Sequence, residues 1–331
     1  MYKVVSLFSG CGGADCGMLG GFQFNQKLYD KLPFELVYAT DIDKKAVMTH
    51  KANFKVAQLV CKDICDTPSS DIPDHNVLVG GFPCQSFSTV NPTKDPFDDR
   101  ANLYKQMVRI ARDKQPEICI AENVKGLMTL HKGEILKKVI KAFNKAGYNT
   151  YYRLLNSADY GVPQKRERMI MVCVRKDIAT EFVFPDATNI ENWVPLSVAV
   201  PVLAIEEKKY YFSERAVQGM KNAKNNMKRG LAQSLDAPCL TVTSHLAKVS
   251  LNSRDPVLLV DPEKELYRRF TPREAARIQS FPDTFVFTGS EADAYRQIGN
   301  AIPPVMFWHI AKKVAAFLDE HTGSNNVQNT N

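Results

Sequence analysis

The chain has 331 residues, 44% hydrophobic and 24% charged, an ordinary globular composition with length for one large domain and a smaller one. No stretch approaches the roughly 18 consecutive apolar residues of a membrane helix, and Met1–Phe8 is too short an apolar run for a signal peptide. Forty-three Lys+Arg against 36 Asp+Glu leave +7, which permits a polyanionic partner without requiring one.

In chain order, Lys3–Phe8, Leu36–Thr40, Val77–Val79, Ile118–Ala121, Tyr151–Leu155 and Met169–Val174 are short and apolar. Lys44–Asn53, Leu103–Lys114 and Glu134–Ala146 carry helical spacing. This alternation predicts an α/β fold: a doubly wound, Rossmann-like, mostly parallel sheet over residues 1–181. From Phe182 the pattern loosens around Pro185, Pro195, Pro201 and Pro238, so 182–290 is expected to be a smaller, irregular domain. Helical order returns at Ala294–Leu318, within a 291–320 segment expected to rejoin the large domain, and a polar tail over 321–331 reads as disordered. The eight cysteines form no CxxC pair, which argues against a zinc site or a disulfide framework and for a reducing compartment.

Five strand ends attract attention, because ligands of such sheets bind there. The first strand runs into Phe8-Ser9-Gly10-Cys11-Gly12-Gly13, where glycines let backbone approach a ligand closely. A nicotinamide-dinucleotide fingerprint would need a glycine at Asp15, so another adenosyl ligand fits better. Asp41 and Asp63 follow the next two strands; Asp41 could accept both ribose hydroxyls and Asp63 the adenine amino group, although either alone is more often a helix cap or solvated turn residue. Val77–Val79 leads through two glycines to Pro83-Cys84, where Pro83 stiffens a turn carrying a cysteine placed for nucleophilic work. The long polar loop Ser86–Arg100 after it suits a lid. Ile118-Cys119-Ile120-Ala121 delivers Glu122 to the same face, positioned for acid assistance.

These residues, with Pro83-Cys84-Gln85-Ser86-Phe87-Ser88, Glu122-Asn123-Val124, Gln164-Lys165-Arg166-Glu167-Arg168, Arg269-Phe270-Thr271-Pro272-Arg273-Glu274 and Gln297-Ile298-Gly299-Asn300-Ala301, resemble the bacterial-type cytosine-5 DNA methyltransferase family in content and order. The resemblance implies methyl transfer from S-adenosyl-L-methionine to carbon 5 of a flipped-out cytosine in a specific double-stranded DNA sequence. Cys84 would attack carbon 6, Glu122 would meet ring nitrogen 3 and the exocyclic amine, Arg168 would hold the base carbonyl and Arg166 would support the site. Phe8, Ser9, Gly10, Gly12, Gly13, Asp41, Ile42, Asp63, Ile64, Pro83, Leu103, Asn300 and Ala301 would form the cofactor pocket. The resemblance leaves 182–265 uncovered, the family's variable target-recognition region.

Ser88, as a phosphate contact, and Lys228, Arg229, Thr243, His245 and Lys248 are the candidate DNA-binding residues, although a charge run also suits a plain solvated face. The expected setting is a DNA-associated monomer in bacterial cytoplasm, with no metal, no membrane and no obligate protein partner; a cognate restriction endonuclease is an open functional partner. Two other readings stay open, a tRNA cytosine-5 methyltransferase and a non-catalytic nucleic-acid-binding module.

Overall fold

The structure is a computed structural model, and it describes residues 1–82, 103–223, 232–246 and 256–325. Along the first half run β1 (Tyr2–Leu7), α1 (Gly13–Leu19), the hairpin β2–β3 (Phe22–Phe24, Lys27–Tyr29), β4 (Phe34–Asp41), α2 (Lys44–Asn53), β5 (Gln58–Cys61), β6 (Val77–Gly80), α3 (Leu103–Lys114), β7 (Ile118–Val124), α4 (Gly126–Thr129) and α5 (Glu134–Lys145). Then come β8 (Tyr148–Asn156), β9 (Gln164–Lys165), β10 (Glu167–Arg175), α6 (Glu214–Ala223), β11 (Cys239–Leu240), β12 (Leu258–Asp261), β13 (Leu266–Arg268), α7 (Pro272–Ile278), α8 (Glu291–Asn300) and α9 (Pro304–Asn325).

Seven strands form one sheet in the order β5-β4-β1-β6-β7-β10-β8. The β1–β4, β4–β5, β1–β6 and β6–β7 ladders are parallel, while β10 runs antiparallel to both β7 and β8. The chain walks outward from β1 through β4 to β5, then returns to β6 on the other side of β1. That reversal opens a crevice at the carboxyl ends of β1 and β6.

The continuous apolar strands are explained by burial on both faces. Val4, Val77, Val79, Ile118, Ile120, Ile170 and Val172 join one core with α9, while their neighbours Val5, Leu78, Cys119, Ala121, Met169 and Met171 join another with α3 and α5. A third core gathers Leu196, Val242, Leu258, Phe270 and Phe281 with Ala294, Tyr295 and Ile298 of α8.

Two expectations change at the C-terminal end. The helical stretch Ala294–Leu318 is two helices: α8 ends at Asn300, Ala301 is extended (ψ 152°), and α9 begins at Pro304, whose fixed φ suits a first helical position. The tail expected to begin at 321 is helical through Asn325. The region from 182 to 290 also holds more order than its prolines suggest, since α7 starts at a reciprocal cap between Thr271 and Glu274.

Candidate active site

The glycine loop leaves β1 through Phe8, whose φ of 54° is unusual for a side chain with a Cβ. Gly12 sits at φ 93°, and a Cβ there would fall 2.2 Å from a ring carbon of Phe54, so no other residue fits. Beneath it Asp15 Oδ2 and His50 Nε2 lie 2.8 Å apart, both side chains fully buried. The position that would be glycine in a dinucleotide fingerprint is thus filled by a structural carboxylate.

Asp41 ends β4 beside this loop. Its Oδ2 accepts from the Gly10 N–H at 2.8 Å and its Oδ1 from the Asp43 N–H at 2.8 Å. Burial pushes its pKa above the ordinary carboxylate range, and those two backbone donors oppose the shift. Ile42, next in the chain, is 69% exposed, an apolar surface at the crevice edge. The Ser9 N–H donates to the Thr40 carbonyl at 3.0 Å. A Cβ on Gly13 would lie 3.0 Å from the Ala301 Cβ, which brings the chain's last segment against the loop. Asn300 is exposed, and Leu103 and Phe8 are half-buried against one core. Asp63 caps the turn after β5, its Oδ1 accepting from the Cys65 N–H at 2.9 Å, while the Ile64 side chain is buried in the core against which Phe8 and Leu103 also pack.

On the other side of the crevice, β7 delivers Glu122. A Cβ on Gly81 would sit 3.3 Å from Glu122 Oε2, so the carboxylate abuts the residues that lead to Cys84. Glu122 Oε1 pairs with Arg168 Nε at 2.9 Å, each side chain 14% exposed. Burial lowers the Arg168 pKa, with Glu122 opposing the shift. Asn123, not singled out from the sequence, donates from Nδ2 to the Phe82 carbonyl at 2.9 Å and accepts the Val124 N–H at 2.9 Å, pinning the backbone one residue before Pro83. A cleft of about 490 Å³ opens beside this pair, lined by Val124, Lys125, Gly126, Lys165, Arg168 and Thr241 among others.

Arg166 does not enter that cleft. It is buried, donating from Nη1 to the Val242 carbonyl at 3.1 Å and from Nη2 to the Gly299 and Ala301 carbonyls at 3.0 and 3.1 Å. Burial pulls its pKa well below the arginine range. Thr243 and His245 lie on the turn after β11, where Thr243 Oγ1 accepts the His245 N–H at 3.1 Å and His245 is exposed. Pro83, Cys84, Ser88, the 86–100 loop, Lys228, Arg229 and Lys248 lie outside the described residues. Among the described residues no group of three His, Cys, Asp or Glu is arranged for a metal, and no helix is long and apolar enough to cross a membrane.

A crevice with a glycine loop and a strand-end carboxylate on its β4 side and a carboxylate–guanidinium pair on its β7 side suits a group-transfer enzyme that brings two reactants together at the switch point. The family model for C-5 cytosine-specific DNA methylase matches residues 2–316, and the chain belongs to that family, as a DNA (cytosine-5-)-methyltransferase. It is 33% identical to Type II methyltransferase M.FnuDI of Fusobacterium nucleatum, over 96% of this chain and 95% of that protein. It is 34% identical to Type II methyltransferase M.NlaX of Neisseria lactamica, over 96% and 97%. Its fold is that of S. pombe Dnmt2 methyltransferase, with TM-score 0.73 and 19% identity over 97% of this chain and 99% of that one.

Proposed function

We propose that the chain methylates carbon 5 of a cytosine flipped out of a specific duplex DNA sequence, using S-adenosyl-L-methionine and a covalent Cys84 adduct. The observation that carries this reading is the Glu122–Arg168 pair at the foot of the turn leading to Cys84. The cofactor suits the residues present: Gly10 leaves open space beside the backbone of the loop, Asp41 presents a carboxylate at a strand end, Ile42 offers an exposed apolar face and Asp63 a second acceptor. Phe8, Ser9, Gly13, Ile64, Pro83, Leu103, Asn300 and Ala301 would complete the pocket.

When bound, S-adenosylmethionine supplies an electrophilic methyl group. The Cys84 thiolate adds to carbon 6, forming a C–S bond. Glu122 gives a proton to nitrogen 3 and draws off the charge that addition creates, while Arg168 holds the base carbonyl. Carbon 5, now enamine-like, would accept the methyl as its bond to the cofactor's sulfur breaks, leaving S-adenosylhomocysteine. Elimination then sends the carbon-5 proton to a base, with bound water the default, breaks the C–S bond and returns the nitrogen-3 proton to Glu122. A base inside a duplex is out of reach, so flipping costs about a few kcal/mol first.

Residues 1–181 would form the catalytic unit and 182–290 the target-recognition unit. Ser88 would contact phosphate, and Lys228, Arg229, Thr243, His245 and Lys248 would contact DNA. The chain would act as a monomer on DNA in bacterial cytoplasm, and its similarity to Type II methyltransferases leaves a cognate restriction endonuclease open as a functional partner.

Duplex DNA carrying 5-fluorocytosine tests the mechanism, because fluorine blocks elimination. The unmutated protein should give a covalent adduct resistant to denaturation, and Cys84→Ser should give none and turn over nothing. An active serine variant would end the mechanism, and methylation of tRNA in preference to duplex DNA would end the substrate assignment.

A further inference from the structure

The run Gln164–Arg168 alternates its side chains, and the inward set makes three different connections. Arg168 holds Glu122. Gln164 Oε1 accepts the Val242 N–H at 2.8 Å, and its Nε2 donates to Gln279 Oε1 at 2.5 Å. Arg166 takes the Val242 carbonyl and the carbonyls of Gly299 and Ala301. Gln279, at the end of α7, donates to the carbonyls of Ile298 at 2.7 Å and Ala301 at 2.9 Å. All three linking side chains, Gln164, Arg166 and Gln279, are at most 2% exposed. Both main-chain polar groups of Val242 are therefore held by the same cluster that holds Ala301.

The two ends of that cluster lie at different ligands. Ala301 packs on Gly13 of the glycine loop. Val242 lies between Thr241, which borders the cleft, and Thr243, whose backbone is so close to Gly299 that a Cβ there would fall 2.2 Å from the Thr243 carbonyl carbon. The cluster has little slack, because every one of these bonds ends on main chain or on another buried amide.

We propose that Gln164, Arg166 and Gln279 are positioning residues that couple cofactor occupancy to DNA binding: filling the glycine-loop cradle fixes the 299–301 backbone, which fixes the 241–243 segment at the DNA-facing cleft. The inference rests on the cofactor and DNA sites proposed above. By linkage, DNA must tighten the cofactor by the same factor that the cofactor tightens DNA.

The test uses the full-length protein, a duplex containing its methylation site and S-adenosylhomocysteine as the unreactive probe. The probe should tighten duplex binding about tenfold, within the ordinary range for coupled sites. Gln279→Met, which touches neither ligand, should bring that factor to within about twofold of unity while the protein still binds each ligand alone. A variant that is merely less stable would weaken both affinities and leave their ratio unchanged. Since Gln279→Met removes buried hydrogen bonds and could cost the fold, amide exchange in the unmutated protein gives a second readout. The Val242 amide should exchange more slowly when the probe binds in the absence of DNA. Binding of both ligands without coupling, an unchanged factor in a folded Gln279→Met, or a Val242 amide indifferent to the probe would overturn the coupling and leave the methyltransferase reading intact. Failure to bind the probe at all would overturn the site assignment as well.

Discussion

Glu122 is held from two sides, by Arg168 at 2.9 Å and by the strand end at Gly81. Replacing it with glutamine keeps the shape and a hydrogen bond while removing the transferable proton. Glu122→Gln should slow single-turnover methyl transfer roughly a hundredfold or more, with duplex affinity little changed. A variant within tenfold of the parent would remove Glu122 from the proton's path. The carboxylates at 41 and 122 were legible in the sequence because each follows an apolar run that reads as a strand; Asp41 ends β4, Glu122 lies inside β7, which runs on to Val124, and Asp63 sits two residues past the short β5. Gln164 and Gln279 were not legible. They meet across 115 positions of chain, and a glutamine gives no local sign of whether it caps, solvates or bridges. Asn123 lay within a quoted motif, yet its bond to Phe82 depends on a neighbouring strand that the sequence places only coarsely.

At the scale of elements, α7 shows what was missed and why. Its start carries the signature Thr271-Pro272-x-Glu274, in which Thr271 Oγ1 accepts the Glu274 N–H and Glu274 accepts the Thr271 N–H. Glu274 also takes a bidentate contact from buried Arg268, at 2.6 and 2.8 Å. Thr271→Ala should therefore cost about 1 kcal/mol in urea unfolding, and loss well under half of that would mean the Arg268 contact alone holds the helix start. The surrounding prolines hid this cap from a reading based on periodicity. Central strands were easier, because burial on both faces writes itself as an unbroken apolar run. The β2–β3 hairpin was harder, since its turn uses Asn25 and Gln26 at positive φ where glycine would have announced it.

At the scale of the whole molecule, acid should loosen the fold through a buried histidine, His75, and a half-buried one, His309. Burial drops His75 and His309 to about 4 from an ordinary 6.5. Between those values the unfolded chain binds protons that the folded chain refuses, so stability is full above pH 6.5 and falls as pH drops toward 4. Each histidine adds about 1.4 kcal/mol per pH unit to that slope, and His309→Phe should flatten it; an unchanged slope would clear His309. Sequence choice belongs to the same scale. Exchanging 182–265 for the matching region of a relative with another target should carry the new target with it, as read by mapping methylated sites. An active chimera that keeps the old target would show that this region does not do the reading. The closure of chain end on chain start has a further consequence. Tyr2 Oη donates to Asp319 Oδ1 at 2.7 Å, α1 packs along α9, and Ala301 walls the glycine loop made from residues 8–13. A nascent polypeptide leaving the ribosome must therefore carry an open cradle until Ala301 has emerged. Copies terminated before Ala301 should lack that wall and stay silent on the genome.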